Sequence, residues 1–197
     1  MTRNRENTER KILEAYGKLV AGSGFHNVGI NAVAQEAGVD KVLIYRYFGG
    51  MDGLARAFAQ SGEGWPTIEQ LLGTNMLGAA DLPADDLARR FLSNLIHELR
   101  ARPVAQEILR WELHEQNEIT ETLAAARERA LGVLRLLEDT GGENAYIAST
   151  VLVAGIIHLM LLSKRRGSFG DLDLSNEQTW QRIEQACLSA LEKLLGD

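Results

Sequence analysis

Cysteine and proline are scarce in this 197-residue chain, which contains one cysteine and three prolines. The single Cys187 excludes an intramolecular disulfide and a four-cysteine metal site, so a reducing compartment is the natural setting. The sequence also lacks a glycine-rich phosphate loop and a nucleophile elbow. His114 and Glu115 resemble the start of a zinc-protease pattern, but that pattern requires a second histidine at position 118, which is Glu118. These absences predict a protein that is not an enzyme and that has no metal site or cofactor.

The overall composition is that of a globular protein. Hydrophobic residues make up 45% of the chain and charged residues 24%, which excludes a disordered or low-complexity chain. The N-terminal residues 1–5 lack the apolar core of a secretory signal. We therefore expect a cytoplasmic protein.

One long apolar stretch has two interpretations. From Ala145 to Ser163 only His158 can carry a charge, and a basic turn, residues 164–166, follows directly. This length and flanking charge suit a membrane span, but a helix buried on all sides within a bundle has the same composition. Its polar residues, Ser149 among them, and the lack of a second such segment favour the buried helix and predict no membrane partner.

Charge is unevenly distributed along the chain. Residues 1–50 hold seven basic and five acidic residues, for a net charge of +2, while the whole chain carries −6. A basic N-terminal part on an acidic body is typical of a protein whose N-terminal end alone meets phosphate.

Helical periodicity predicts an all-α chain. Asn7 or Thr8 is a candidate cap for a first helix that ends at the glycines of residues 22–24. Further helices are expected at 31–37, 41–48, 52–60, 84–101, 103–115, 118–139, 143–166 and 176–195. The breaker-rich segment 61–66 predicts a boundary between domains at 1–60 and 61–197.

The second and third helices form a predicted helix-turn-helix. About three residues around Gly38 join them, and Asp40 is a strong N-cap for the third. If Ile44 is buried, helical geometry turns one face outward, composed of Lys41, Val42, Leu43, Tyr45 and Arg46. Such a face suits a DNA major groove. It equally suits a three-helix cap whose exposed residues contact the rest of the protein.

The N-terminal sequence resembles the TetR family of regulators. The residues that carry the resemblance are Gly24-Phe25, Val33-Ala34, Ala37-Gly38-Val39, Asp40-Lys41, Ile44-Tyr45-Arg46-Tyr47-Phe48 and Asp52-Gly53-Leu54. It implies an N-terminal three-helix helix-turn-helix domain plus a C-terminal helical ligand-binding and dimerisation bundle. It further implies a homodimer that binds an inverted-repeat operator in double-stranded DNA, most often as a repressor, and is released by a small-molecule effector.

The resemblance also assigns roles to individual residues. It implies DNA contact by Asn31, base contacts by Lys41, Val42 and Leu43, and phosphate contacts by Tyr45, Arg46 and Tyr47. Three positions depart from the family pattern: Met51 stands where a lysine is common, Gly29 replaces a capping threonine, and Val42-Leu43 is bulkier than usual. We expect weaker nonspecific affinity and an unusual operator preference.

The effector and dimer regions are less well defined by sequence. Six residues are candidate ligand contacts: Trp65, Asn94, Glu98, Trp111, Glu112 and His114. The alternatives are that the polar ones face water and that the tryptophans belong to the core. The helices at 143–166 and 176–195 are expected to pair two subunits, with His158 at their interface. The alternative function is a helical protein-binding adaptor without DNA binding.

Overall fold

The computed structural model describes residues 2–24, 27–116 and 118–195, and this part of the chain is predominantly helical. The all-α prediction is confirmed. In chain order the helices are α1 (Thr2–Ser23), α2 (Ile30–Ala37), α3 (Lys41–Phe48), α4 (Met51–Gln60), α5 (Ile68–Leu72), α6 (Met76–Ala80), α7 (Ala84–Ala101), α8 (Pro103–Glu112), α9 (Glu118–Leu131), α10 (Glu138–Arg165) and α11 (Glu177–Leu195). A 3₁₀ segment, Gly132–Leu137, joins α9 to α10. A short antiparallel hairpin of β1 (Ser168–Phe169) and β2 (Leu172–Asp173) precedes α11.

The chain forms two compact units. The first contains the chain up to Trp65 together with Arg102–Glu128, and the second contains Pro66–Ala101 and the chain from Arg129. The first unit therefore combines α1–α4 with α8 and most of α9.

The first unit has one apolar core. Ile12, Tyr16 and Val20 of α1 pack with buried residues of α2, α3 and α4, and the later helices add Ile108 and Leu123. A Cβ at Gly64 would lie 2.8 Å from Ile108 Cδ1, so the loop after α4 passes directly over α8. Burial of these side chains, at about 1.5–3 kcal/mol for each large one, holds the helix-turn-helix to α8 and α9.

The second unit is a bundle around α7. This helix packs against α5 and α11, and α10 packs against α11 and the 3₁₀ segment. The indole of Trp180 donates a hydrogen bond to the Leu174 carbonyl (2.9 Å), which fixes the start of α11. Arg100 of α7 donates two hydrogen bonds to the Glu177 carboxylate and lies 5.1 Å from the Trp180 ring centroid.

One side of α10 is uncovered in the single chain. Among the described residues, the segment Gly142–Arg165 is long and apolar enough to cross a membrane by length and composition, and 28% of its most apolar stretch is buried. Ile147 and Val151 are exposed, and so is His158. Among the described residues, neighbouring elements therefore cover one face of this helix. Burial of its other face depends on the expected pairing of two subunits and stays a prediction.

Several element bounds differ from those expected. The first helix begins at Thr2, and Thr8 lies inside it with its hydroxyl bonded to the Asn4 carbonyl, so neither Asn7 nor Thr8 is its cap. The short helices α5 and α6 were not expected. Each has a side-chain cap: the Thr67 hydroxyl accepts a hydrogen bond from the Gln70 amide, and the Asn75 side-chain oxygen accepts one from the Gly78 amide. Phe25, used in the family resemblance, lies outside the described residues.

Candidate nucleic-acid interface

The turn between α2 and α3 has the expected helix-turn-helix structure. The α2 helix ends at Gly38, whose φ of 65° lies in the left-handed region that glycine adopts without strain. The Asp40 carboxylate accepts a hydrogen bond from the Val42 amide (2.8 Å), which confirms Asp40 as the N-cap of α3. Gly29 before α2 provides no side-chain cap, as its sequence predicted.

The α3 helix buries one face and presents the other to solvent. Ile44 is fully buried, whereas Val42 is 61% exposed and Tyr45 55% exposed. Lys41 and Arg46 are also exposed, and Leu43 is half-buried. The outward face is therefore the predicted one. It combines two cations, a phenol and an exposed apolar side chain, the groups that contact phosphates and thymine methyls.

Two predicted contact residues flank this face. Asn31 is exposed near the start of α2, while Tyr47 is half-buried near the end of α3. The Tyr47 ring packs edge-on against Phe48, with ring centroids 6.5 Å apart.

An arginine that the sequence analysis did not single out lies over Tyr47. The guanidinium of Arg5, in the second turn of α1, is 5.1 Å from the Tyr47 ring centroid. Its Nε donates a 2.7 Å hydrogen bond to the Glu9 carboxylate, which raises the pKa of Arg5 above its ordinary value. In the sequence, the only indication of a role for Arg5 is that it lies in the basic N-terminal part, residues 1–50.

Behind α3, the packing of α1 on α4 supports the interface. The Tyr16 ring lies edge-on to Phe58 with centroids 5.3 Å apart, and Phe58 fills the space beside Gly17. Burial raises the pKa of Tyr16, and the negative charge of Asp52 raises it further. This neutral tyrosine belongs to the core that holds α3 in place.

The junction between α3 and α4 depends on glycine. Gly49 and Gly50 have φ values of 77° and 128°, which side-chain-bearing residues rarely adopt. Gly53 has an ordinary helical backbone, but a Cβ there would lie 1.7 Å from the Phe48 carbonyl oxygen. Lack of space excludes any side chain at position 53.

The six candidate ligand residues divide between the two units. Trp65, Trp111, Glu112 and His114 belong to the first unit, and Asn94 and Glu98 to the second. The Asn94 amide donates to the Leu71 carbonyl (2.9 Å), so part of its bonding capacity is used within the second unit. Trp111 packs against the core of the first unit, and its indole donates to Glu115 (2.9 Å).

Trp111 and the exposed His114 meet at a cleft beside the end of α1. The His114 Nδ1 lies 2.9 Å from the Arg110 carbonyl. The cleft has a volume of about 260 Å³, below the usual range for small-molecule pockets. Its lining residues are Ser23, Gly24, Asn27, Glu107, Arg110, Trp111 and His114.

Glu112 is part of a buried ion pair. One of its oxygens accepts a hydrogen bond from Arg127, a residue that the sequence analysis did not single out, and burial lowers the pKa of Arg127. Its other oxygen, Oε1, is buried without a hydrogen-bond partner among the described residues, and so is the indole nitrogen of Trp65. Buried polar atoms left in this state cost about 1–3 kcal/mol each, and a ligand can supply the missing bonds.

A metal site is not evident in the described part of the chain. No group of three histidine, cysteine, aspartate or glutamate side chains there could hold a metal ion. The side chain of Glu118, considered with His114 and Glu115, lies outside the described side chains.

One family model matches the segment that contains this geometry. Residues 12–58 match the model of bacterial regulatory proteins of the tetR family. By sequence, no curated protein matches the chain significantly.

Solved structures share the fold over nearly the whole chain. A TetR-like transcriptional regulator from Rhodococcus sp. RHA1 is 21% identical, with a TM-score of 0.65, covering 95% of this chain and 93% of that one. The fatty acid degradation regulator FadR from Bacillus halodurans is 17% identical, with a TM-score of 0.68 and coverages of 93% and 96%. A TetR-family regulator from Streptomyces coelicolor is 19% identical, with a TM-score of 0.69 and coverages of 96% and 89%. The helix-turn-helix segment of this chain is therefore similar to that of tetR-family regulators, and the chain shares its fold with these solved structures.

Proposed function

We propose that this protein is a cytoplasmic, homodimeric repressor that binds an inverted-repeat operator and is released by a small-molecule effector. The observation that carries the proposal is the outward face of α3, where Lys41 and Arg46 flank the exposed Val42 and Tyr45. A lone α3 in each protomer reads few base pairs, so two copies related by a two-fold axis would read an inverted repeat. The half-sites would lie about one helical turn apart, or somewhat more.

The uncovered side of α10 supports the dimer. Its apolar residues include Ile147 and Val151, and α11 lies beside it. The backbone of α10 breaks at Gly142, where φ is 67°, and the helix beyond this break begins with Glu143 and ends with Lys164 and Arg165. If two copies pair antiparallel about a two-fold axis, each acidic end meets the partner's basic end while the apolar stretches meet between them. A second copy of this chain is therefore the occupant we propose.

The buried polar atoms of Glu112 and Trp65 support an effector site in the first unit. A hydrogen-bond donor on an effector would satisfy Glu112 Oε1, and an acceptor would satisfy the Trp65 indole nitrogen. Glu112 lies on α8, which packs against α1, so the site shares its supporting helices with the helix-turn-helix core. Effector binding would favour a dimer conformation whose recognition helices are wrongly spaced, and each ~1.4 kcal/mol of that preference weakens operator binding about tenfold.

Selection of bound fragments from a genomic DNA library in moderate salt tests the DNA-binding proposal. The wild type is expected to recover an inverted repeat, and Arg46→Ala to lose it because a groove-facing cation is removed. Arg89→Ala removes an exposed arginine from the second unit and serves as the matched control, expected to recover the wild-type repeat. If the wild type enriches no sequence even at low salt, the proposal is overturned and the helical adaptor becomes the better interpretation.

Effector release is tested with the recovered operator. A fluorescently labelled operator fragment is bound to the protein and challenged with a collection of small metabolites, and compounds that release it are retested on Glu112→Gln. We expect that variant to keep its operator affinity and to lose at least tenfold in effector sensitivity, since one charged acceptor is removed. Equal sensitivity in the two proteins would exclude Glu112 from the effector site.

A further inference from the structure

The N-terminal part of α1 lies next to the recognition helix through one contact. Arg5 and Tyr47 are 42 positions apart in sequence, yet the Arg5 guanidinium is 5.1 Å from the Tyr47 ring centroid. The Arg5 side chain is 59% exposed, so its cation faces solvent as well as the ring. Tyr47 directly follows the exposed Arg46 on α3. The contact therefore places a solvent-facing cation beside the outward side of the recognition helix.

The hydrogen bond to Glu9 shows what the Arg5 guanidinium binds in the free protein. Its Nε holds a carboxylate oxygen at 2.7 Å, on the same helix and one turn away. A guanidinium has five N–H donors in a planar arrangement, so the remaining donors can bind a second anion. A DNA phosphate is such an anion. Replacing the Glu9 carboxylate by phosphate as the partner of Arg5 costs little free energy, because an exposed ion pair contributes little to stability.

We propose that Arg5 is a DNA-phosphate contact, so that the DNA-binding surface extends from α3 onto the first turns of α1. This inference rests on the proposed DNA binding and adds a contact to it. The Tyr47 ring holds the guanidinium through a cation–π interaction. Because Arg5 is already restricted in the free protein, it loses less conformational entropy when it binds DNA. The contact is made to the DNA backbone and adds affinity for any sequence.

Arg10 provides a matched control on the same helix. It is 63% exposed and pairs with Glu14, as Arg5 pairs with Glu9. Five residues advance a helix by about 140°, so Arg10 points away from the side of α1 that carries Arg5. Its removal changes the net charge by the same amount without removing the proposed contact.

The experiment measures binding of the full chain to an operator duplex and to an unrelated duplex at several salt concentrations. For Arg5→Ala we expect the slope of log affinity against log salt to fall by about 1 for each protomer, and so by about 2 for a dimer. The loss in affinity should be the same on both duplexes. Arg5→Lys should keep most of the slope, and Arg10→Ala should keep all of it, with thermal unfolding of each variant measured alongside.

Each outcome decides between the possibilities. An unchanged slope in Arg5→Ala, while the wild type binds DNA, overturns the phosphate contact and leaves the proposed function intact. A lowered unfolding temperature with an unchanged slope shows that Arg5 only stabilises the packing of α1 on α3. If the wild type binds neither duplex, the proposed function itself fails. Equal losses in Arg5→Ala and Arg10→Ala indicate a general charge effect and also overturn the proposal.

Discussion

Tyr16 is a buried phenol in the core of the first unit. It packs against Phe58, and burial raises its pKa above its ordinary value of 10.0 because the charged phenolate is poorly solvated there. The unfolded chain therefore releases this proton at a lower pH than the folded protein does. The resulting stability is complete below about pH 10 and is lost as the pH rises above that value.

This linkage predicts a specific alkaline instability. Between pH 10 and 11.5 the wild type should lose up to about 1.4 kcal/mol of unfolding free energy per pH unit through Tyr16, and Tyr16→Phe should lack this component. Urea unfolding of both proteins at a series of pH values measures it. Parallel pH profiles for the two proteins would show that Tyr16 ionises as readily in the fold as outside it.

We expect a substitution of Leu43 to change which operator sequence the protein prefers. It is half-buried on α3 beside the exposed Val42, so its outer atoms can meet a base edge. We expect Leu43→Ala to weaken selection for thymine at one position of each half-site, because a contact with the C5 methyl is lost.

Selection from a randomised operator pool measures this preference. Leu77→Ala, which truncates an exposed leucine on α6, is the control. An identical base preference in Leu43→Ala and the wild type would exclude Leu43 from base contact.

At the scale of elements, the α3–α4 junction is packed too tightly to hold a side chain at position 53. A methyl group at Gly53 would meet the Phe48 carbonyl oxygen at 1.7 Å, and the neighbour is backbone rather than a movable side chain. Gly53→Ala must therefore displace α4 from the end of α3. We expect a loss of about 3 kcal/mol or more in unfolding free energy, at the upper end of overpacking effects, together with weaker operator binding.

Gly22→Ala on α1 is the control for this substitution. Among the described residues, no neighbouring atom outside the helix's own backbone lies within 4 Å of a Cβ at that position. Alanine is also favoured in a helix, so stability should stay within about 1 kcal/mol of the wild type. Chemical denaturation measures both variants. Wild-type stability in Gly53→Ala would mean that the α3–α4 junction can accept a methyl group at position 53.

Local signals allowed the helix-turn-helix to be predicted from sequence. The bounds of α3 follow from the Asp40 cap and Gly49, and its outward face follows from the burial of Ile44. The early start of α1 was not predicted, because Asn7 and Thr8 are strong capping residues. In the folded helix Thr8 donates instead to the Asn4 carbonyl, and the Asn7 side chain accepts from Arg10. The Glu112–Arg127 pair was also missed, since 15 positions separate its members and only the packing of α8 and α9 brings them together.

At the scale of the whole molecule, the uncovered face of α10 predicts self-association. Val151 is 65% exposed on that face. Val151→Glu places a carboxylate where the partner would bury it, and we expect the dissociation constant of the dimer to rise by about 100-fold or more. Sedimentation at several protein concentrations measures it.

Leu77→Glu is the matched control for Val151→Glu. Leu77 is still more exposed, at 83%, and lies on α6, which packs against α5. We expect the dimer of this variant to be unchanged. If Val151→Glu dimerises with the same dissociation constant as the wild type, or if the wild type is a monomer, this face is not the dimer interface.

The same face has a consequence for gene dosage. In the proposed dimeric repressor, a single chain with one recognition helix would bind only one half-site, so repression would depend on the concentration of the chain in the cell. Below the dissociation constant of the pair, operator occupancy rises with the square of the chain's concentration. Halving synthesis would then reduce occupancy about fourfold, and a cell inheriting few copies would begin to express the target genes before any effector arrived.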